Sequence, residues 1–550
     1  MTVASENLTH PATLLESIAD SQPGMPALVH GETRRTWSAF DDRSARLATA
    51  LTDMGVPIAG VVGIYMRNNN ELVETYCAAL KMRATPININ YRYLDDELVH
   101  LLLDSNCRAL VFHAEFATRV ARIRHRLPGL QALVMVGDGP MPVSSAVAYE
   151  HAITKYEPAE RIHRPISDPS MTYTGGTTGL PKAVTAQIGA RVSESSVRLS
   201  AEALQVPTQP TEFGAATATR LRQDGHSIVS VPLSPMMHAT SLNVVAVPTL
   251  LFGGCVVTST DTSYRPNAVL DLLNLEAATA TVLVGDAMAK PFLGALIDRR
   301  ANGVDFSLPA LRAIVSSGMA WGAETMNSLL DCLPHVVLHE LLGATEALMG
   351  SRTIRAGDAV SRTPRFVPVS GLKVLRPDDT EVPAGTGEPG LIAAPVPEDR
   401  HYQGDGAKTA SVFRRVSGVR YAITGDWGTV DADGQLCPIG RGSTVINTGG
   451  EKVFPEEVEQ VIRGLPTVID CVVVGRPSER WGETVVALVS LSSGSACTEE
   501  SIIAAVRERL SGYKIPRLVR LVQTIPRHPN AKIDYGAAHL LLDDELSNKS

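Results

Sequence analysis

Short apolar runs alternate with longer stretches of helical periodicity through most of the chain. Clear examples are residues 60–65, 109–113, 133–137, 280–285 and 313–318. Such runs end in or near Gly, Ser or a polar residue and are followed by a helical pattern, which is typical of buried strands in parallel α/β sheets. We therefore predict a large α/β domain whose ligands bind beyond the carboxyl ends of the strands.

The pattern of hydrophobic and turn-forming residues changes near residue 366. Short strands separated by Gly, Pro and Asp turns predict a small β-rich subdomain over about residues 366–440. After residue 442 a compact unit mixes predicted helices (455–463 and 499–510) with predicted strands (470–475, 486–491 and 519–522). The predicted fold class is α/β, with an N-terminal domain of layered subdomains over residues 1–442 and a small α+β C-terminal domain over residues 443–550.

The amino-acid composition narrows the classes of function that the protein can have. The 550 residues include 50 basic and 58 acidic side chains, which gives a net charge of −8, and 44% are hydrophobic. This globular composition lacks long Lys/Arg runs, so it argues against nucleic acid or an anionic membrane surface as a partner. The seven scattered cysteines indicate thiols in a reducing compartment. No signal peptide or transmembrane segment is predicted, so we expect a cytoplasmic protein.

The strongest chemical signal is the run Tyr173-Thr-Gly-Gly-Thr-Thr-Gly-Leu-Pro-Lys182. Its glycines and threonines expose many N–H and O–H donors, which suit a polyphosphate, and the lysine adds a positive charge. The run is not a Walker A motif, because Gly179 is followed by Leu-Pro-Lys-Ala. The predicted phosphate-binding residues are Thr174, Gly175, Gly176, Thr177, Thr178, Gly179 and Lys182.

Four more segments follow at residues 342–346, 423–426, 440–457 and 526–532. In this order, and with the loop before them, they resemble the adenylate-forming superfamily of acyl-CoA synthetases, luciferases and peptide-synthetase adenylation domains. The resemblance extends from about residue 10 to residue 536. It implies an enzyme that uses ATP and Mg²⁺ and has a mobile C-terminal domain.

The resemblance implies a role for each matched position. Glu346, with Thr174, matches the position that holds Mg²⁺, a hard cation that prefers oxygen ligands. Thr345 matches a contact to the α-phosphate. Asp426 matches the carboxylate that accepts hydrogen bonds from the ribose hydroxyls, and Arg441 matches a second ribose or phosphate contact.

Near the C-terminus, Lys532 matches the catalytic lysine of the family, which stabilises negative charge on the phosphoryl oxygens. Ala531 precedes it where the family usually has Gly. Ser443 stands at the position of the family's hinge, about which the C-terminal domain rotates to complete a thiol tunnel. Gly450 matches the path of the coenzyme A pantetheine, and Lys452 matches a cation that touches phosphate.

The adenine site departs from the family pattern at Leu342, where relatives carry a Tyr that stacks on the base. We expect adenine to be held by apolar contact with Leu342 beside Gly343. Polar groups near Glu340 and residues 316–318 complete the predicted site.

The segment 231–238 resembles the motif whose histidine or aromatic residue borders the acyl pocket, so His238 is predicted to gate that pocket. No Asp or Glu occurs between Ser234 and Gly254, where amino-acid-activating relatives supply a counter-charge for the substrate ammonium. A buried ammonium without a partner is costly. With Met236 and Met237 nearby, the segment predicts an apolar carboxylic acid.

A closer resemblance lies in residues 90–93, 285–291, 418–423 and 442–455. These segments are similar to actinobacterial acyl-CoA synthetases that activate the steroid side-chain carboxylates of cholesterol catabolism. This resemblance favours a bulky substrate, either a fatty acid or a steroid side-chain carboxylate.

The sequence therefore predicts an AMP-forming acid–CoA ligase of fatty-acid, steroid or other lipid metabolism. It would convert an acid and ATP into acyl-AMP and pyrophosphate, then transfer the acyl group to coenzyme A and release AMP. One alternative is an acyl-AMP ligase that loads a separate acyl carrier protein, and another is a nucleotide-binding regulator without turnover. The identity of the acid and the oligomeric state stay open, with a homodimer as one alternative.

Overall fold

The computed structural model describes residues 8–174, 181–303, 307–319, 321–361, 363–441, 446–448, 451–478, 482–510, 512–527 and 533–543. The strands, numbered in chain order, are β1 Pro26–His30, β2 Thr33–Thr36, β3 Val61–Tyr65, β4 Thr85–Asn88, β5 Cys107–His113, β6 Ala132–Val136, β7 Ala146–Ala148, β8 Pro169–Thr174, β9 Lys182–Gln187, β10 Val229–Val231, β11 Cys255–Thr258, β12 Ala280–Val282, β13 Ala313–Ser317, β14 Val337–Gly343, β15 Leu348–Ile354, β16 Val367–Pro368, β17 Lys373–Leu375, β18 Gly390–Pro395, β19 His401–Tyr402, β20 Phe413–Val416, β21 Val419–Ala422, β22 Asp426–Val430, β23 Leu436–Arg441, β24 Ile446–Thr448, β25 Glu451–Val453, β26 Val468–Ser478, β27 Gly482–Leu491 and β28 Leu518–Val522.

The α-helices are α1 Pro11–Ser21, α2 Trp37–Asp53, α3 Asn70–Lys81, α4 Asp95–Asp104, α5 Ala117–Ile123, α6 Tyr149–Lys155, α7 Glu194–Ala203, α8 Ala215–Gln223, α9 Val247–Leu251, α10 Pro266–Leu275, α11 Gly285–Ala301, α12 Ala323–Cys332, α13 Gly406–Val412, α14 Pro455–Arg463, α15 Glu499–Arg507 and α16 Tyr535–Asp543. A π-helix spans Thr240–Ala246, and 3₁₀ turns span Ala114–Phe116, Arg124–Arg126, Ile188–Val192 and Gly512–Lys514.

Two α/β sheets form the N-terminal part. Of the described strands, nine form the larger sheet in the order β16-β15-β14-β13-β12-β10-β11-β1-β2, and five form the smaller in the order β4-β3-β5-β6-β7. The smaller sheet is parallel throughout, and in the larger sheet β2, β15 and β16 pair in antiparallel fashion at the two edges. One hydrophobic cluster joins both sheets through the helices between them, with Leu28 and Val62 on the sheets and Leu47 of α2 in the helical layer.

The five apolar runs singled out in the sequence form β3, β5, β6, β12 and β13. Every residue of β3 and β6 is buried, which is why these strands read as unbroken apolar runs. Strand β12 ends earlier than its run, since Gly285 already begins α11. Helix α15 likewise ends at Arg507, before the predicted end at residue 510.

The β-rich part contains antiparallel strands in the order β20-β21-β18-β22-β23, with β17 beside β18. A separate antiparallel sheet has the order β19-β9-β8. The two sheets share a core cluster that includes Val184 of β9, Met349 of β15 and Ile392 of β18. This shared core holds the β8–β9 hairpin against the β-rich sheet.

The C-terminal unit has its own sheet and core. Its described strands are ordered β25-β24-β27-β26, and β28 pairs in parallel with β27. Val458 of α14, Val506 of α15 and Val489 of β27 are buried in one cluster on this sheet. The predicted domain boundary between residues 442 and 443 lies outside the described residues, and that division stays a prediction.

Among the helices that the structure describes, none combines the length and the apolar character needed to cross a membrane. The seven cysteines are all free thiols. His335 and His339 are four residues apart but contact different groups. The His335 ring lies 3.1 Å from the Leu308 carbonyl oxygen, and the His339 ring lies 3.0 Å from the Thr353 hydroxyl.

Candidate active site

The predicted phosphate loop connects the two strands of a hairpin. Strands β8 and β9 are antiparallel, and Thr174 at the end of β8 lies opposite Lys182 at the start of β9. The predicted loop residues between them, Gly175, Gly176, Thr177, Thr178 and Gly179, lie outside the described residues. The β8–β9 ladder therefore holds the two ends of the predicted loop side by side.

Lys182 reaches across to the segment that follows β19. Its Nζ donates to Asp405 Oδ2 at 2.6 Å, and half of its side chain is exposed. Asp405 also caps α13, where its Oδ1 accepts from the Lys408 backbone N–H at 2.8 Å. The Lys182 ammonium holds the pKa of the Asp405 carboxyl below its usual range. The predicted contact of Lys182 with phosphate would require it to leave this pair, and exposed ion pairs are weak.

Glu346 lies in the turn between β14 and β15 and is tied to the sheet of the hairpin. Its carboxylate accepts a hydrogen bond from the Tyr402 hydroxyl. Tyr402 is in β19, where it pairs with Val184 of β9. The Glu346 backbone oxygen accepts from Arg400 Nη1 at 2.8 Å. The predicted magnesium carboxylate and the predicted phosphate hairpin thus belong to one connected framework.

The donor set around Glu346 fits Mg²⁺. Within the described ranges, no group of three or more His, Cys, Asp and Glu side chains could hold a metal ion by itself. Magnesium is usually bound through one or two carboxylates together with substrate phosphates. A single half-buried carboxylate near the hairpin that bears the predicted phosphate loop matches that pattern.

Arg400 gives this region a half-buried positive charge. Burial lowers the pKa of the Arg400 guanidinium, and the nearby Arg191 charge lowers it further. Its Nε is buried without a hydrogen-bond partner in the part of the chain that the structure describes. The Arg191 and Arg400 charges repel each other, and the carboxylates of Asp399 and Glu346 partly offset the Arg400 charge.

The predicted adenine-binding groups lie on adjacent strands. Strands β13 and β14 are parallel, with Ser316 opposite Glu340 and Ser317 opposite Leu341. Their carboxyl ends therefore lie side by side, as a nucleotide site at a sheet edge requires. Leu342, at the end of β14, is half-buried and packs against the core of the β-rich part.

The turn after β14 brings the backbone of Gly343 unusually close to that of Ala347. A Cβ added to Gly343 would lie 2.8 Å from the Ala347 backbone oxygen, so only glycine fits without a shift. Thr345, the predicted α-phosphate contact, and Glu346 follow in this turn. The close approach sets the position of both residues relative to the end of β14.

An ion pair engages the Glu340 side chain. Arg352 of β15 lies opposite Glu340 in the antiparallel ladder, and its Nε donates to Glu340 Oε2 at 2.6 Å. Both side chains are buried, and burial raises the pKa of the Glu340 carboxyl although Arg352 opposes the shift. The contact of Glu340 with adenine stays a prediction. The Glu340 carboxylate would have to contact adenine while it also pairs with Arg352.

The two predicted ribose contacts meet in the β-rich sheet. Asp426 begins β22 and lies opposite Arg441 of β23. The Thr424 hydroxyl donates to Asp426 Oδ2, which orients the carboxylate. Only the backbone of Arg441 is described.

Several predicted residues fall where the structure gives no description. Lys532, Gly450 and Ser443 lie outside the described residues, and for Lys452 only the backbone is described, in β25. Arg527 and Ile533 form an antiparallel bridge on either side of the Lys532 segment. The roles of these residues stay predictions.

A cavity lies between β8 and the segment that follows β10. Met236, Met237 and Leu242 supply apolar lining, and His238 also borders the cavity. The role of His238 at an acyl pocket stays a prediction. Its free volume is about 20 Å³, which is room for about one water molecule. A ligand larger than a water molecule would therefore require lining side chains to shift. Methionine is flexible, and the π-helix Thr240–Ala246 is of a kind often found at functional sites, so this wall is suited to move.

Sequence reasoning did not identify Arg191, Arg400 or Tyr402. Tyr402 and Glu346 are 56 residues apart in the chain, and neither position predicts the other. A weak signal was present, since residues 399–405 form a polar cluster of two acids, Arg, His and Tyr at a strand end. Such clusters at strand ends are common in sites built on sheets.

Two family models match the chain. The AMP-binding enzyme family matches residues 15–394, and the AMP-binding enzyme C-terminal domain matches residues 457–532. The chain belongs to the AMP-binding enzyme family. The membership inferred from the motifs is thereby confirmed.

Curated relatives of this AMP-binding enzyme extend over nearly its whole length. The medium/long-chain-fatty-acid–CoA/3-oxocholest-4-en-26-oate–CoA ligase of Mycolicibacterium smegmatis is 33% identical over 533 residues, 95% of each chain. The 3-oxocholest-4-en-26-oate–CoA ligase of Rhodococcus rhodochrous is 33% identical over 530 residues, 95% of this chain and 94% of that one. A feruloyl-CoA synthase of an Amycolatopsis species is 29% identical over 525 residues, 94% of this chain and 96% of that one.

Solved structures share the fold. The anthranilate CoA ligase AuaEII in complex with anthranoyl-AMP has a TM-score of 0.81 at 23% identity, covering 97% of this chain and 98% of that one. ATP-bound MatB from Rhodopseudomonas palustris has a TM-score of 0.79 at 22% identity, covering 98% and 99%. The predicted fold class is confirmed by these likenesses.

Proposed function

We propose that this AMP-binding enzyme is an acid–CoA ligase that activates an apolar carboxylic acid with ATP and Mg²⁺. The observation that carries the proposal is the link from Glu346 through Tyr402 to the sheet whose hairpin bears the predicted phosphate loop. The reaction class is supported by relatives that are named CoA ligases over about 95% of the chain.

In the first half-reaction, an oxygen of the acid's carboxylate attacks the α-phosphorus of ATP. The bond between that phosphorus and the oxygen bridging to the β-phosphorus breaks, so that acyl-AMP and pyrophosphate form and no proton is transferred. Lys182 and the loop that begins at Thr174 offset the charge of the phosphates, and Lys532 stabilises the transition state. Glu346 and Thr174 are the residues that would hold Mg²⁺, which would supply further positive charge beside the phosphates.

In the second half-reaction, the sulfur of coenzyme A attacks the acyl carbonyl carbon. The thiol loses its proton to water, the bond from the carbonyl carbon to the AMP oxygen breaks, and AMP leaves. We assign the change between the two steps to rotation of residues 443–550 about Ser443, against an N-terminal domain of residues 1–442 that includes the β-rich subdomain 366–440. Gly450 and Lys452 are then the proposed contacts to coenzyme A.

The proposed substrate is a medium- or long-chain fatty acid or a steroid side-chain carboxylate. The names of the relatives from M. smegmatis and R. rhodochrous support this class. The apolar side chains of Met236, Met237 and Leu242 on the cavity wall also support it. The small free volume then requires the methionines and the π-helical segment to move when the acid enters.

Coenzyme A is the proposed acceptor. A separate acyl carrier protein was the alternative from the sequence, and the CoA-ligase names of the relatives do not favour it. We further propose that the enzyme works in the cytoplasm, where ATP and coenzyme A are available. A homodimer is a separate prediction, tested by size-exclusion chromatography with light scattering.

Mass spectrometry of reactions with ATP, Mg²⁺ and a panel of acids, run with and without coenzyme A, tests the proposed function. The panel spans short to long fatty acids, aromatic acids and steroid side-chain acids. We expect acyl-CoA from the apolar acids only when coenzyme A is present. Acyl-AMP that accumulates unchanged by coenzyme A would point to the carrier-protein alternative, and no adenylate with any acid would contradict the proposal.

A further inference from the structure

Arg191 is a cation on the wall of the acyl cavity with no acidic partner in the described part of the chain. It lies in the 3₁₀ turn Ile188–Val192, directly after β9. Its Nε and Nη2 donate to Ser170 Oγ at 3.0 and 2.9 Å, and Nη2 also reaches Thr172 Oγ1 at 3.5 Å. Hydroxyls do not neutralise a guanidinium, which has five N–H donors. The positive charge therefore has no ion-pair partner among the described residues, on a wall that carries polar groups such as Asn88 and His238 as well as apolar ones.

The hydroxyl partners place Arg191 near the reacting end of the cavity. Ser170 and Thr172 are in β8, the strand that leads into the predicted phosphate loop. Thr172 is two residues before the end of β8 at Thr174, which is about 7 Å of strand. A group bound at Arg191 thus lies near the strand end at which the predicted phosphate loop begins.

Arg400 carries a second positive charge that acts on Arg191, although the carboxylates of Asp399 and Glu346 partly offset it. The two guanidinium charges repel each other, and Arg400 donates to the backbone oxygen of Glu346, the proposed magnesium ligand. An anion at Arg191 would relieve this repulsion. The anion that this position suits has an apolar remainder, because Met236, Leu242 and Ile188 line the same cavity.

We propose that Arg191 binds the carboxylate of the acid substrate and positions it for attack on the α-phosphate. The inference rests on the proposed ligase function and adds a binding residue for the one group that all of its acid substrates share. A guanidinium suits this role, because its planar fork can donate two parallel hydrogen bonds to a carboxylate. Once the carboxylate oxygen is bonded to phosphorus, the acyl group is no longer an anion, and Arg191 no longer holds it by charge.

Arg191→Gln in the full-length protein tests this role, with Arg198→Gln as the matched control. Arg198 lies seven residues further on, is 76% exposed and pairs only with Glu194 of its own helix among the described residues. We expect Arg191→Gln to raise the KM for the acid by about 10- to 100-fold, the cost of a lost charge-assisted contact. The KM for ATP should stay within about twofold, and Arg198→Gln should match the wild type.

Three further readouts separate a carboxylate contact from other roles. The rise in KM should be equal for short and long acids, thioester formation from supplied acyl-AMP should be unchanged, and added methylguanidine should restore part of the activity of Arg191→Ala. A rise confined to acids with one particular substituent, an equal loss in both half-reactions, or a wild-type KM would overturn the proposal. If wild-type protein makes no acyl-CoA, the proposed function itself fails, which is a distinct result.

Discussion

Single side chains that are far apart in sequence build the candidate site. Lys182 and Asp405 are 223 residues apart, and Glu346 and Tyr402 are 56 apart. The motifs identified Lys182 and Glu346, because their neighbours in sequence form a recognisable pattern. Tyr402 ends the short strand β19 and Asp405 caps α13, and nothing in this short polar segment predicts which distant residue either will contact. The partners of the site therefore required the structure.

The Tyr402 hydroxyl should tune how Glu346 binds Mg²⁺. Tyr402→Phe removes the hydrogen bond to the carboxylate and leaves the ring in place. Because such supporting contacts are typically worth 10- to 100-fold in metal affinity or activity, we expect the Mg²⁺ concentration for half-maximal adenylation to rise by about that factor. Titration of Mg²⁺ at a fixed concentration of ATP measures it.

Tyr156→Phe is the control for this change. The Tyr156 hydroxyl donates to Asp53 Oδ2 at 2.6 Å on the surface of the N-terminal part, away from Glu346. Tyr156→Phe should leave the Mg²⁺ concentration for half-maximal adenylation unchanged. An unchanged response in Tyr402→Phe as well would remove Tyr402 from the account of the metal site.

At the level of secondary structure, the local sequence pattern predicted those helix ends that local interactions determine. Helix α14 begins and ends at the predicted residues, since Pro455 stands at its start, Glu456 and Glu457 in its first turn, and Arg463 in its last. The π-helix Thr240–Ala246 was not predicted. Its sequence is mostly apolar, so no polar face reveals the helical period there.

A buried ion pair between Glu340 of β14 and Arg352 of β15 lies across this strand pair, and tertiary structure alone reveals it. Arg352→Met would leave the Glu340 carboxylate buried without its counter-charge, which costs about 3–5 kcal/mol. We expect the apparent Tm to fall by about 5 °C or more in differential scanning calorimetry.

Two variants control for this loss. Arg355→Met, three residues further on and exposed, should leave the apparent Tm close to that of the wild type. Glu340→Met combined with Arg352→Met should recover most of the loss, because no charge is then buried. Equal Tm values for Arg352→Met and Arg355→Met would show that the buried pair does not stabilise this strand pair.

At the scale of the whole molecule, the C-terminal unit packs on the end of the β-rich sheet. The rings of Trp427 and Phe454 lie 6.1 Å apart, and a Cβ on Gly440 would overlap a carboxylate oxygen of Glu456. The motifs predicted both parts and their order along the chain. They could not predict this contact, which arises only when the two parts meet, and the proposed rotation requires it to break.

The most direct test of the central claim compares the two half-reactions in wild-type protein and in Lys532→Ala. Acyl-AMP formation is measured without coenzyme A as acid-dependent exchange of labelled pyrophosphate into ATP, and thioester formation is measured from supplied acyl-AMP. Arg507→Ala, an exposed cation at the end of α15, is the control. We expect Lys532→Ala to slow exchange by about 10²- to 10³-fold, the cost of one transition-state donor, and to preserve thioester formation. Equal loss of both half-reactions, or no acid-dependent exchange in the wild type, would contradict the account.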